Sequence, residues 1–210
     1  QLEELLRQAF PTHPYGWPTI GYQADLDRLS LEQCKSFFET YYQPANALIV
    51  VSGDFEYEKV RDWIEKYYGS IKGRPVSELV LAGEKVLKKE KRVELVKPVA
   101  AESFLMGYYV PSMFSDDVPK ISMLSWALFS MASSRAHVRL VRDRQLALDI
   151  GAEAMFQRFP NLFYVEADLR SGVTAEKAGA EFDRIIEDVK VNGISQEELL
   201  RVKNALKYAT

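Results

Sequence analysis

Hydrophobic positions along the chain follow strand spacing in some segments and helical spacing in others, and the strands come in neighbouring pairs. Strand patterns are predicted at 46–52, 92–99, 103–111, 146–156 and 162–170. Helical patterns are predicted at 2–9, 30–42, 57–69, from Asp116 to Met131, at 134–144, 174–191 and after Ser195. Paired strands with helices between the pairs favour an α+β fold, a mixed or antiparallel sheet with helices packed on one face.

Several boundaries of these elements are marked by local signals. Ser30 is followed three positions later by Gln33, and Ser195 by Glu198, which are the two halves of a capping box at a helix start. The last two strands flank Pro160 and Asn161, as expected for a β-hairpin. The stretch 11–29 is rich in Pro and Gly and is predicted to be loop or extended chain.

Composition places the chain among ordinary globular proteins. The 210 residues are 47% hydrophobic and carry a net charge of −3, enough for one sizeable core. The basic residues do not gather on an identifiable face, which argues against a nucleic-acid partner. No apolar run is long enough to span a bilayer.

Candidate metal ligands and nucleophiles are sparse. The two histidines, His13 and His137, lie far apart, and no H-E-x-x-H or H-x-x-E-H pair is present. The single cysteine, Cys34, excludes an internal disulfide and a thiolate zinc cluster, and we expect it to be a buried helix residue. His137 is expected on a helix surface or at an interface.

The other polar motifs do not indicate a catalytic site either. The turn 52–54 holds one glycine and an aspartate, so it is predicted to be a strand-to-helix turn rather than a phosphate loop. Glu153, Glu166 and Asp168 are expected on the solvent face of the hairpin. The residues alone therefore indicate an α+β domain without a catalytic site of its own.

Ordered motifs along the whole chain resemble one family. The stretch HPYGWPTIGY at 13–22, the run YYQPANALIVVSGD at 41–54, the run SSRAHVRL at 133–140 and GISQEELL at 193–200 are similar to segments of the pitrilysin/insulinase family of zinc metallopeptidases. The resemblance covers essentially all 210 residues. It implies two homologous halves that enclose a peptide, each half containing two similar α+β domains.

The resemblance also implies where the zinc ligands would be. In the zinc-binding half, the H-x-x-E-H helix and a further glutamate ligand precede the segment that this chain resembles. His13 matches a structural loop histidine of the family and is expected to be packed or capped, not a ligand. By the same resemblance, 1–26 is a tail and linker from a preceding catalytic domain, and 27–210 is the C-terminal, non-metal-binding domain. Leu5, Leu6 and Phe10 are then expected to pack onto that preceding domain.

Two positions bear on which half the chain resembles. In the partner half, an arginine and a tyrosine contact the substrate near the metal, and the matching positions here are Val141 and Leu148. Neither side chain can donate a hydrogen bond to developing negative charge. Arg139, Arg142 and Arg144 lie nearby but out of register. The chain is therefore predicted to resemble the zinc-binding half, with no catalytic or metal-binding residues of its own.

The implied function is that of a supporting domain in a zinc-dependent endopeptidase. Its expected partners are the preceding catalytic domain, the homologous second half or subunit, and a peptide substrate. Zinc is expected in the full-length protein and not in this chain. Two alternatives stay open, a scaffold domain from a wholly non-catalytic half and an independent peptide- or protein-binding module. A bacterial periplasmic or cytoplasmic location is implied by the resemblance alone.

Overall fold

The computed structural model describes residues 1–76, 81, 87 and 89–209, which fall into two compact units. The first unit is Gln1–Trp17 with Gly83–Thr210, and the second is Pro18–Ala82.

The helices and strands of the described residues follow one another in this order along the chain: α1 (Leu2–Ala9), a 3₁₀ turn (Pro14–Gly16), α2 (Gln23–Leu26), α3 (Leu31–Tyr41), a 3₁₀ turn (Pro44–Asn46), α4 (Tyr57–Tyr68), β1 (Ser103–Val110), α5 (Val118–Ser125), a π-helix π1 (Trp126–Ser130), a second π-helix π2 (His137–Asp143), β2 (Ala147–Ala154), β3 (Asn161–Leu169), α6 (Ala175–Asn192) and α7 (Gln196–Ala209).

The three strands form one antiparallel sheet in the order β1-β3-β2. Gly107 of β1 lies opposite Tyr164, and Ala152 of β2 lies opposite Val165. The pairing of β2 with β3 is irregular between Ala147 and Asp149, so Leu148 has no opposite residue in the β2–β3 register. The α+β prediction, with a hairpin formed by the last two strands, is confirmed.

One face of the sheet carries the main core. Alternate residues of β3 point into it because successive side chains of a strand face opposite sides. These residues pack with buried side chains of π1, π2 and α6, and the central members of the cluster are Phe163, Val165, Leu169, Leu128, Leu140 and Phe182. Phe182 meets Phe104 edge-on and stacks against Phe129. This core fixes the positions of the helices around β2.

The opposite face of the sheet is partly covered by α1. Leu5 lies against Gly107, where an added Cβ would be 3.1 Å from a Leu5 methyl carbon. The Tyr109 hydroxyl donates to the Ala9 carbonyl at 2.7 Å, and Phe10 is buried with Leu162. Residues 1–17 therefore pack on the sheet of this chain, which differs from the expectation that Leu5, Leu6 and Phe10 pack onto a preceding domain. The boundary between such a domain and this one stays a prediction.

Local signals were reliable at the helix starts. The Ser30 hydroxyl accepts from the Gln33 N–H, and the Gln33 side chain accepts from the Ser30 N–H, so the capping box of α3 is complete. The box at α7 is complete as well, with Ser195 and Glu198 paired in both directions. The stretch 11–29, predicted to be loop, also contains the 3₁₀ turn Pro14–Gly16 and the short α2.

Two predicted strands are wrong. The run 46–52 begins in a 3₁₀ turn and continues as unpaired, exposed chain, with Leu48 88% exposed. The run 92–99 is also exposed and unpaired, and near its end the Val99 N–H turns back to the Lys97 carbonyl across Pro98. A β-branched apolar run predicts a strand only if another strand supplies hydrogen bonds. Neither run has such a partner among the described residues.

The helical segment after Asp117 is confirmed, with a change of geometry near its end. It begins as α5 and continues as π1, in which Leu128 and Phe129 reach the core. The predicted helix at 134–144 corresponds to π2 and the helical residues that precede it. A π-helix has one more residue per hydrogen-bonded turn than an α-helix, and periodicity alone does not distinguish the two.

Candidate functional site

A groove lies between the helical segment α5–π1 and strand β2. Its cavity has a volume of about 260 Å³. The helical wall presents Ser122, Ser125, Trp126 and Ser130, and the strand wall presents Ala152, Glu153, Ala154 and Phe156. We call this feature the β2 groove. It combines small apolar side chains, hydroxyl groups, one carboxylate residue and two aromatic side chains.

The helical wall of the β2 groove is held by its own hydroxyl groups. The Ser122 hydroxyl donates to the Val118 carbonyl at 2.9 Å, and the Ser125 and Ser130 hydroxyls are 3.2 Å apart. Such contacts satisfy the hydroxyl protons locally and leave acceptor lone pairs available on the serine oxygens. The wall is thus polar, while the next residues of π1, Leu128 and Phe129, are buried in the core.

The strand wall of the β2 groove is an edge of the described sheet. The Met155 N–H donates to the Leu162 carbonyl. Because main-chain groups alternate between the two sides of an antiparallel strand, Glu153 also turns its groups towards β3, whereas Ala152 turns its groups away from β3. Within the described part of the chain, no other strand pairs with this edge of β2. The Ala152 main chain is therefore positioned to accept an added strand.

The carboxylates of the hairpin lie on the exposed face of the sheet, and of the three residues only Glu153 also lines the β2 groove. Glu153, Glu166 and Asp168 are exposed, as expected from the alternation. The Tyr164 hydroxyl donates to the Glu153 carboxylate at 2.7 Å. Burial and this carboxylate both raise the pKa of Tyr164, so the hydroxyl stays a protonated donor. Glu153 therefore lines the groove, while its carboxylate binds Tyr164 of the neighbouring strand.

The two positions that match the Arg/Tyr pair lie on neighbouring elements. Val141 is half-buried on π2 and packs against the main core. Leu148 is 58% exposed at the irregular start of β2. The nearby guanidinium groups are engaged elsewhere, Arg139 with Glu181 at 2.6 Å and Arg142 with Asp143 at 2.9 Å. These positions present an apolar surface.

Two ion-pair clusters hold π2 in place. Arg135 donates to Glu198 through Nε at 2.6 Å and Nη2 at 2.8 Å, to Asp188 at 2.8 Å and to the Gly193 carbonyl at 2.7 Å. The hydrogen bonds from Arg135 lower the pKa of Glu198 to about 2 despite its partial burial. For Glu181, burial raises the pKa, but the hydrogen bond and charge of Arg139 outweigh it and the pKa is lowered.

The histidines and the cysteine do not form a metal site. His13 is buried in a loop, where its Nδ1 accepts from the Tyr15 N–H at 3.2 Å and its ring contacts Phe10, Tyr15 and Phe159. His137 is half-buried on π2. Cys34 is exposed, so the prediction of a buried thiol is wrong, because α3 buries none of its residues in the described structure.

A zinc site is not found among the described residues. No group of three or more His, Cys, Asp and Glu side chains comes together there to hold a metal ion. The residues present therefore do not fit the zinc that the resemblance implies for the full-length protein. No helix among the described residues is both long enough and apolar enough to cross a membrane.

The sequence profile of the family described as "peptidase M16 inactive domain" matches residues 28–206. The chain belongs to this family. The resemblance to the pitrilysin/insulinase peptidases is thereby confirmed. The chain is 30% identical over 198 residues to the zinc protease PqqE of Helicobacter pylori, covering 93% of this chain and 45% of that protein.

Solved structures of similar proteins agree with the peptidase M16 inactive domain fold. A protease from Helicobacter pylori has a TM-score of 0.83 at 28% identity, covering 98% of this chain and 51% of that one. A peptidase M16 inactive domain from Pseudomonas fluorescens has a TM-score of 0.82 at 17% identity, covering 100% of this chain and 50% of that one, and shows the fold alone. The chain spans about half the length of these relatives.

Proposed function

We propose that this peptidase M16 inactive domain supports the catalytic domain of a zinc-dependent endopeptidase and forms part of the chamber that encloses the peptide. Residues outside this chain would hold the zinc and provide the glutamate base, and cleavage would use a metal-activated water. The name of the Helicobacter pylori relative, a zinc protease, supports this assignment. The apolar residues Val141 and Leu148 support a role without catalytic contacts.

The observation that carries the proposal is the β2 groove. An extended peptide would add to the β2 edge as a further strand. Its main chain would form hydrogen bonds with Ala152, and its side chains would contact Trp126. The small residues Ala152 and Ala154 leave room for the peptide backbone. Such binding depends mainly on the main chain, so it would tolerate many peptide sequences. That property suits a chamber that must hold varied substrates.

The test is a substitution on the helical wall that places a large side chain in the groove. Ser122→Phe in the full-length protein places a ring in the β2 groove, and Lys120→Phe places the same ring two positions earlier, on the exposed side of α5. We expect the KM for a peptide substrate to rise about tenfold in Ser122→Phe, a loss of about 1.4 kcal/mol of binding, with kcat unchanged. Lys120→Phe should match the unmodified protein.

The outcomes separate the parts of the proposal. Equal KM values for the two variants would exclude peptide binding in the β2 groove. A full-length protein without any peptidase activity would instead favour the scaffold alternative. An unchanged far-ultraviolet circular dichroism spectrum in both variants is the check that the added ring has not unfolded the domain.

A further inference from the structure

The connection between α6 and α7 contains the one Asn-Gly pair of the sequence, Asn192 and Gly193. Asn192 is exposed at the last position of α6, and Gly193 has a φ of 69°, a left-handed conformation that favours glycine. A glycine after an asparagine leaves its amide nitrogen unhindered. This pairing is the sequence context in which an asparagine side chain is most reactive.

We propose that Asn192 is a site of spontaneous deamidation, and that the α6–α7 connection controls its rate. The Gly193 N–H gives its proton to a solvent base, and the nitrogen forms a bond to Asn192 Cγ. The Cγ–Nδ2 bond then breaks, and Nδ2 takes a proton from solvent and leaves as ammonia, which gives a succinimide ring. Water then opens the succinimide ring at either carbonyl and gives aspartate or isoaspartate.

The folded chain holds both reacting groups away from this step. The Gly193 N–H donates to the Val189 carbonyl at 2.9 Å, and the Asn192 side-chain amide donates to Asp188 at 2.7 Å. Both bonds must open before the nitrogen can reach Cγ. The reaction therefore proceeds through local opening of the last turn of α6, and its rate follows the free energy of that opening.

Arg135 is the residue that restrains this opening. Its guanidinium binds the Gly193 carbonyl and, at the same time, Asp188 in α6 and Glu198 in α7. These three hydrogen-bonded partners lie on both sides of the Asn-Gly pair. Arg135 therefore restrains the end of α6 within the first unit. Deamidation would add a negative charge beside Asp188, and isoaspartate would lengthen the main chain between the two helices. Each product changes the geometry on which the Arg135 contacts depend.

The experiment compares deamidation rates in the intact protein. Samples are incubated at mildly alkaline pH and digested with trypsin, and the peptide 191–201 is assayed for aspartate and isoaspartate by mass spectrometry. Arg135→Met is the test variant, and Arg139→Met is its matched control on the same helical segment. We expect Arg135→Met to react roughly tenfold faster than the unmodified protein. Arg139→Met should not differ, since Arg139 pairs with Glu181.

A synthetic peptide of sequence 191–201 gives the unrestrained rate. The intact protein should react more slowly than this peptide, and Asn192→Gln should give no product. Equal rates for protein and peptide, or equal rates for Arg135→Met and Arg139→Met, would overturn the proposal. If Arg135→Met loses its circular dichroism signal, Asp188→Asn takes its place, because it weakens the hold on the Asn192 amide. Asp188→Asn should also accelerate the reaction, and an unchanged rate there counts against the proposal.

Discussion

At the scale of single residues, Glu198 links the stability of the domain to pH. Its carboxylate accepts from both Arg135 and the Ser195 N–H, and its pKa falls from 4.5 to about 2. Because the pKa is lower in the folded state than in the unfolded state, the stabilisation is complete above 4.5. It is lost as the pH falls from that value towards 2. We expect the free energy of unfolding, measured by urea titration, to decrease across this window.

The variant Glu198→Gln isolates this contribution. Loss of a charged, partly buried hydrogen-bond acceptor should destabilise the domain by about 2 kcal/mol at neutral pH. The difference from the unmodified protein should shrink as the pH falls through the window, because the unmodified carboxylate then becomes neutral as well. Glu197→Gln is the control, since the Glu197 side chain is 80% exposed. A pH-independent difference for Glu198→Gln would contradict the assignment.

At the scale of elements, the sequence was informative where a signal is local. Both capping boxes form with the residues that the spacing indicates, because the hydrogen bonds connect positions three apart. The hairpin also follows from a short connection and matching alternation. The runs 46–52 and 92–99 have the same apolar, β-branched pattern but no strand beside them within the described ranges. Strand formation depends on a distant partner, which a single segment does not encode.

The packing of α1 is also a property of elements, and it can be tested by loosening its contact with β3. Leu162→Ala removes the buried side chain beneath Phe10 and should cost about 3 kcal/mol. Since Leu162 lies under α1, we expect trypsin cleavage at Arg7 under native conditions to accelerate roughly tenfold or more. The measurement is the rate of appearance of the shortened chain by mass spectrometry.

Leu169→Ala is the matched control for that experiment. Leu169 is equally buried on the same strand, but it faces the main core on the other side of the sheet. It should lower the global stability by a similar amount without selectively exposing Arg7. Equal cleavage rates for the two variants, at conditions where both stay folded, would show that α1 does not depend on Leu162.

At the scale of the whole molecule, the β2 groove was not predicted from the sequence. Its walls come from the segments 122–130 and 152–156, which the fold brings together through the core beneath them. Serines spaced along an apolar helix and small residues alternating in β2 are the signals that could have indicated it. Both patterns are common, so only the contact between the two elements gives them a function. By contrast, the residues Val141 and Leu148 were identified through aligned motifs and not through physical patterns.

The whole-molecule prediction concerns zinc. This chain spans about half the length of its relatives, and its described residues bring together no group of three or more potential metal ligands. We expect the 210-residue chain to retain no zinc after exhaustive dialysis. The full-length protein should retain about one zinc per chain, as expected for a single site formed by histidine and glutamate ligands. Elemental analysis of both samples is the measurement.

Each result assigns the domain differently. Zinc in the full-length protein alone would place this domain in a catalytic half and make the β2 groove a candidate wall of its chamber. Zinc in neither sample would favour a wholly non-catalytic half, because Val141 and Leu148 also lack the polar contacts of an Arg/Tyr pair. Tight, stoichiometric zinc in the 210-residue chain would contradict the proposal. The ligands would then form a group that the described residues do not show.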